Sequence, residues 1–247
     1  MKVATWNVNG IRARHEQFAQ WAAAEQPDVI CLQELKAKPE QIPQTCAVEG
    51  YTCYWHGAAA YSGVGLHVRQ GFAPDARYSH PDFDHETRIV QAQIEDTVFT
   101  SVYVPNGGKD FEAKIAFIHA LIAYARRLRE EGLKLVLCGD MNIARSEMDV
   151  HPKERKPRSI GQLPQERDLF ERLLAEGGLV DVGRSLYPDD DQYFSWWAPW
   201  RNMRDRNIGW RLDYVLASES LAKRAVSCPS QREVGTSDHA PVVATFS

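Results

Sequence analysis

Cysteine is scarce and unpatterned in this chain: Cys31, Cys46, Cys53, Cys138 and Cys228 are odd in number, and no two stand in a Cys-x-x-Cys spacing. That argues against a disulfide framework and the usual cysteine-based zinc and redox sites, and it predicts free, mostly buried thiols. No apolar run is long enough to cross a bilayer, and no low-complexity tract or obvious linker interrupts the chain. The first residues, Met1-Lys2-Val3-Ala4-Thr5-Trp6, read straight into a strand without the basic, apolar and cleavage regions of a signal peptide. The expectation is a cytoplasmic protein that does not engage membranes. A basic surplus is missing too. With 29 Lys and Arg against 33 Asp and Glu, the formal charge of -4 argues against wholesale coating of a polyanion, so any attraction to one falls to local patches. Two are visible: Lys153, Arg155, Lys156 and Arg158 in one loop, and Arg201, Arg204, Arg206 and Arg211 interleaved with Trp197, Trp200 and Trp210. The plain alternative for each is a solvated face.

What is present is a globular composition, 44% hydrophobic and 25% charged over 247 residues. A single domain of this length buries about three-quarters of its unfolded surface and needs no staple. Lys2 to Val8 alternates as a strand, Gly10 breaks it, and a helix is expected from about Arg12 to Glu25, stopping before Pro27. Val29 to Leu32 reads as a buried strand, delivering Gln33-Glu34 at its end. Tyr51 to Trp55, Gly63 to Val68, Ile89 to Ile94 and Val98 to Val104 follow as short strands separated by turn residues, in the manner of a meander. A helix from Phe111 to Glu131, a buried strand from Lys134 to Cys138, and a helix from Pro164 to Glu176 come next. Trp210 to Ala217 is expected as a strand, Glu219 to Ala225 as a short helix and Pro241 to Phe246 as the last strand. The pattern is mixed α/β.

Polar residues stand where the apolar strands end: Asn7, Glu34, Tyr103, Asn106, Asp140, Asn142, Asp213, Asp238 and His239. Open sheets place ligand sites at such ends, and the two halves of the chain predict two sheets packed face to face with a site on one shared edge. Asn7, Glu34 and Asp238 offer one amide oxygen and two carboxylates, which suits a hard cation such as Mg²⁺ and leaves room for water and a phosphate. Each has a local alternative: Asn7 capping the next helix, Glu34 pairing with Lys36 or Lys38, Asp238 serving a turn. In Gly139-Asp140-Met141-Asn142, glycine permits a tight strand exit, Asp140 can orient or deprotonate water, and Asn142 can donate to a phosphate oxygen. Asp213 lies between apolar neighbours, where an unpaired charge is costly. His239 is its expected partner, held as a phosphate-facing imidazolium.

Six segments together resemble the exonuclease III family of abasic-site endonucleases within the endonuclease/exonuclease/phosphatase superfamily. They are Trp6-Asn7-Val8-Asn9-Gly10-Ile11-Arg12, Leu32-Gln33-Glu34-Leu35-Lys36, Tyr103-Val104-Pro105-Asn106-Gly107, Gly139-Asp140-Met141-Asn142-Ile143-Ala144, Gly209-Trp210-Arg211-Leu212-Asp213-Tyr214 and Ser237-Asp238-His239-Ala240-Pro241. Their order matches as well, and the likeness spans essentially the whole chain. It implies a DNase I-like four-layer α/β sandwich, two packed mixed β-sheets flanked by helices. It also implies Mg²⁺-dependent cleavage of phosphodiesters, with Mn²⁺ able to substitute. The implied partner is duplex DNA carrying abasic sites or 3′ ends, met by a monomer.

Residue by residue, the resemblance makes Glu34 the metal ligand, assisted by Asn7 and Asp238. Asp140 and Asn142 handle water and phosphate, and Tyr103 completes a phosphate clamp with His239 and Asp213. Trp196, Trp210 and Leu212 resemble a small apolar pocket for a flipped sugar lacking its base. Asn106 joins the substrate contacts, and Lys109 and Trp200 are expected to enter the duplex grooves. One segment departs from the family pattern: Lys156-Pro157-Arg158-Ser159-Ile160-Gly161-Gln162-Leu163, which bears on the balance of abasic endonuclease and 3′-exonuclease. The rivals are a superfamily phosphatase acting on a phosphorylated lipid or inositol, and a nucleic-acid-binding regulator that has lost catalysis.

Overall fold

The computed structural model describes residues 1–58 and 61–247. Strand β1 (Lys2–Asn7) leads through Gly10, at φ 99°, into helix α1 (Ile11–Glu25), which ends on a left-handed Gln26 just before Pro27. Strand β2 (Val29–Gln33) returns parallel to β1, and β3 (Tyr51–His56) and β4 (Val64–Arg69) form an antiparallel hairpin beside it. Strands β5 (Arg77–Ser79), β6 (Ile89–Ile94) and β7 (Thr97–Tyr103) are an antiparallel meander. Helix α2 (Phe111–Glu130) starts on Asp110, whose Oδ1 accepts from the Ala113 amide at 2.9 Å, and leads to β8 (Lys134–Asp140), parallel to β7. Next come α3 (Pro164–Gly177), β9 (Leu179–Asp181), α4 (Val182–Leu186), β10 (Asp213–Ser218), α5 (Glu219–Ala222), β11 (Ala225–Ser227) and β12 (Val242–Phe246).

The strands make two six-stranded mixed sheets, ordered β11-β12-β1-β2-β4-β3 and β5-β6-β7-β8-β10-β9. Alternation along the central strands builds the layers. Val29 and Cys31 of β2, Val136 and Cys138 of β8, and Val215 and Ala217 of β10 fill the core between the sheets. Their neighbours Ile30 and Leu32 face α1, and Leu135, Leu137, Tyr214 and Leu216 face α2 and α3. A strand apolar on both faces is what a sheet covered on both sides requires, and each large side chain so buried contributes about 1.5–3 kcal/mol. All five cysteines are free. No helix among the described residues is long and apolar enough to cross a membrane.

Several sequence expectations change. The stretch from Tyr51 to Val104 is not one meander: β3 and β4 belong to the first sheet, β5 to β7 to the second. Alternation shows that a strand has a buried face, not which sheet it joins. The short elements β5, β9, α4 and β11 have too few residues to show a period. Trp210 forms isolated bridges to Val150 and Trp196 and lies outside β10.

The second basic patch also dissolves. Arg211 is buried, its Nε 2.7 Å from Asp149 Oδ1 and its Nη1 and Nη2 at 2.8 and 2.7 Å from the Asp181 carboxylate. Arg204 donates to the carbonyls of Arg232, Val234 and Ser237 and stacks on Trp197, itself buried. Arg201 and Arg206 stay exposed, as do Lys153, Arg155, Lys156 and Arg158 of the first patch.

Burial would raise the Asp149 carboxyl, but Arg211 and Arg184 hold it down to about 2. Because the folded-state value lies below the unfolded one, the stabilisation is complete above the ordinary carboxylate range and disappears as pH falls toward 2. Denaturant titrations should therefore show on the order of 2 kcal/mol lost through this group below about pH 4. Asp149→Asn should flatten that acid slope, and an unchanged slope would remove Asp149 from the account.

Candidate active site

Topology brings one end of each central strand to the same edge. Asn7, Tyr103 and Asp140 close β1, β7 and β8, and Glu34 follows β2 directly. The antiparallel strands β10 and β12 begin at that edge, bringing Asp213 and, just before β12, Asp238 and His239. Asp140 stands opposite both Tyr103 and Asp213 in the sheet register. The backbone bends sharply here, with Glu34 and Asn142 at φ 53° and 51°, a conformation non-glycine residues hold mainly where function or packing demands it.

His239 Nδ1 lies 2.8 Å from Asp213 Oδ2, as the sequence predicts, and its Nε2 is 3.8 Å from Asp140 Oδ2. Ser195 shares the same oxygen of Asp213: its hydroxyl donates to Oδ2 at 2.7 Å while accepting from the Leu212 and Asp213 amides. Burial alone would depress the His239 pKa, but the Asp213 and Asp140 carboxylates reverse this and raise it, so the ring is an imidazolium at neutral pH. Burial pushes the Asp140 carboxyl up; His239 opposes this, while Asp213 and Glu34 push it further up. Tyr103 is raised by burial and by Glu34 and Asp140, so its hydroxyl keeps its proton; the Arg88 guanidinium lies 4.7 Å above its ring.

Glu34, Asp140 and His239 each present a ligand atom within 4.8 Å of the others. The two carboxylates fit a divalent cation, while the protonated His239 beside them is a hydrogen-bond donor rather than a ligand. This group differs from the expected set of Asn7, Glu34 and Asp238. The Asn7 amide nitrogen donates to Glu34 Oε1 and Asp140 Oδ2, both at 2.9 Å, while its oxygen accepts the Asn9 amide at 3.0 Å. Asn7 therefore spaces the two carboxylates, and its oxygen points away from them. Asp238 is taken up by Asn9 Nδ2 at 2.7 Å and Trp196 Nε1 at 3.0 Å. The alternative pairing of Glu34 is real as well, since Lys36 Nζ sits 2.7 Å from Oε2 and 2.6 Å from Asn9 Oδ1. Asn9 went unnoticed although it lies inside a quoted motif.

The Asn142 amide donates to the Val104 carbonyl at 2.8 Å and accepts from Asn106 at 3.3 Å, leaving one N–H for a ligand. Its main chain is fixed by a buried pair that sequence reading missed: Lys114 Nζ lies 2.5 Å from Glu166 Oε1 and donates to the Asn142 and Asn106 carbonyls. Glu166 Oε2 accepts from the Gly161 and Leu163 amides, so the same pair organises the loop that departs from the family pattern. The available signal was a lysine on the apolar face of α2, one helical turn before Phe117 and Ile118.

Trp196 and Trp210 meet edge to face at 5.7 Å, with Trp196 also beside His239, and Leu212 is buried. Lys109 is exposed and Trp200 is 59% exposed, both free for a partner.

Comparison with known proteins agrees with this architecture. Residues 4–239 match the endonuclease/exonuclease/phosphatase family model. The chain is 35% identical to an exodeoxyribonuclease of Bacillus subtilis, covering 98% of each. It superimposes on a 3′-5′ exonuclease (NExo) from Neisseria meningitidis with TM-score 0.90 at 31% identity, covering 100% of this chain and 99% of the other. An AP endonuclease from Archaeoglobus fulgidus matches with TM-score 0.89 at 28% identity, with the same coverage. With its two mixed sheets, its edge of clustered carboxylates and a match over nearly its whole length, the chain belongs to the endonuclease/exonuclease/phosphatase family.

Proposed function

We propose that the protein is a DNA repair nuclease of the exonuclease III type, which hydrolyses the phosphodiester 5′ to abasic sites or removes nucleotides and blocking groups from 3′ ends. The observation that carries this reading is the buried set of Asp140, His239 and Asp213 beside Glu34, with Trp196 next to His239 and Trp210 packed on Trp196. Mg²⁺, with Mn²⁺ as a substitute, is the proposed ion. Glu34 would hold it, with Asp140 and His239 near by, and it would neutralise charge on the phosphate.

The chain's own residues do the rest. Asp140, made a better proton acceptor by burial and positioned by Asn7 and the Asn142 amide, takes the proton of the attacking water. His239, held protonated by Asp213, donates to the phosphate, joined by the remaining N–H of Asn142. Tyr103 keeps its proton and donates at the same edge. The aromatic wall accepts an extruded sugar that has no base, for which unstacking costs least. Lys109 and Trp200 reach into the duplex, and the exposed Lys153, Lys156 and Arg158 supply the local positive charge that the net charge lacks.

The test uses a duplex with one abasic-site analogue, an undamaged duplex with a recessed 3′ end, and an inositol phosphate, each with Mg²⁺ or a chelator. Metal-dependent cutting of either duplex with little phosphate release from the inositol is the expected outcome. No cutting of either duplex overturns the nuclease reading, and the ratio of the two DNA rates assigns the main activity.

A further inference from the structure

A second group of metal-ligating side chains lies where the outer strands of the two sheets come together. His56 ends β3 in the first sheet, and His80 and Asp84 follow β5 in the second. Their ligand atoms all lie within 4.8 Å of one another. His56 Nε2 is 2.6 Å from Asp84 Oδ2, and the two imidazole rings overlap with centroids 3.9 Å apart at 32°. Burial and the neighbouring His56 lower the His80 pKa, which favours its neutral form, the form that binds metals.

The surroundings orient all three donors. The Tyr54 hydroxyl shares a 2.8 Å hydrogen bond with His80 Nε2. The other ring nitrogen, Nδ1, is buried close to the Ile89 backbone but makes no hydrogen bond of normal geometry. Asp84 Oδ1 is fixed by the Arg88 and Ile89 amides at 2.9 and 3.1 Å, which leaves Oδ2 for His56. With Nδ1 turned to the Ile89 backbone, Nε2 is the His80 donor, and a metal would displace the Tyr54 hydroxyl from it, while Asp84 is anchored through Oδ1 as the carboxylate of a transition-metal site usually is.

We propose that His56, His80 and Asp84 bind Zn²⁺, separately from the Glu34 centre. Two nitrogens and one oxygen disfavour Mg²⁺ and suit zinc, with a fourth position open to water because His56 and Asp84 are partly exposed. A proton holds His56 and Asp84 together without metal. Zinc would take its place, and the 2.6 Å separation would open to roughly 3.3 Å, the spacing of tetrahedral ligands about 2 Å from the ion. The ion would clip the sheets beside the Tyr54–Tyr78 stack, where the Tyr78 hydroxyl already donates to the Thr52 carbonyl.

The probe is Co²⁺ followed by its visible absorption, added to chelator-treated full-length protein in excess Mg²⁺, with Zn²⁺ as competitor and the melting temperature read in parallel. The expected result is one Co²⁺ equivalent that Zn²⁺ displaces, retained by Asp140→Asn and weakened about tenfold or more in His56→Gln and His80→Gln. Zn²⁺ should raise the melting temperature of the wild type but not of those variants. Asp84→Asn, which keeps an oxygen for the Arg88 and Ile89 amides, serves as the folded control variant and should also lose binding. Equal Co²⁺ binding by wild type and Asp84→Asn, or loss in Asp140→Asn alone, would overturn the site and leave the histidines as a metal-free link between the sheets.

Discussion

Asp140→Asn is expected to lower kcat on abasic or recessed duplex DNA by about a thousandfold, with the Kd for DNA nearly unchanged. Asp140 is 1% exposed, and both oxygens are occupied: Oδ1 accepts the Asn142 amide and Oδ2 accepts the Asn7 amide nitrogen. An asparagine fills the same volume but cannot take a proton from water. In either orientation its amide nitrogen also meets one of those two donors, so one hydrogen bond is lost. Binding should survive because the residues proposed to meet DNA, Lys109, Trp200 and the exposed basic loop, lie on other segments. Single-turnover cleavage together with a binding isotherm separates the two effects. A rate within about tenfold of the wild type would remove Asp140 from the chemistry, and loss of DNA binding would give it a structural role.

Replacing Arg211 by alanine should cost about 3–5 kcal/mol of stability, measured by denaturant unfolding. The guanidinium makes charge-assisted contacts to Asp149 and, through both Nη atoms, to Asp181, and lies 4.4 Å over the Tyr214 ring. Removing it strands two buried carboxylates that Arg184 and Arg145 satisfy only in part. Arg211→Lys keeps the charge but loses the planar fork, so an intermediate loss is expected. A change under about 1 kcal/mol for the alanine variant would mean that solvent or a neighbour compensates. Because Asp213 is two residues along the chain, the same variant should also loosen the support of His239. Arg211 thus connects the stability of the second sheet to the geometry of the active edge.

Much of the site was legible because buried strands announce their ends. An apolar run that stops at Asn7, Glu34, Asp140 or Asp213 places a polar group where solvent and ligands begin, and the neighbouring glycines mark the tight exits. The Asp213 to His239 bond followed from the cost of an unpaired buried carboxylate. Arg211 was misread as part of a nucleic-acid patch, since a charged residue looks the same in sequence whether it faces water or two buried aspartates. Lys114 and Glu166 passed unnoticed for the converse reason. Each is ordinary on its own helix, and only the contact of α2 with α3 turns them into the pair that fixes Asn142.

By itself the sequence determined the alternating and doubly buried strands, the long helices, and the chemical types available at the strand ends. These depend on residues close along the chain, whose spacing sets which face each side chain occupies. The tertiary structure alone decided that β3 and β5 fall in different sheets, that Glu34 gathers with Asp140 and His239 while Asp238 is held by Asn9 and Trp196, and that the Asn7 amide donates to the carboxylates. Such choices depend on distances between remote segments and on which hydrogen bonds remain after the sheets have packed, and no local pattern encodes either.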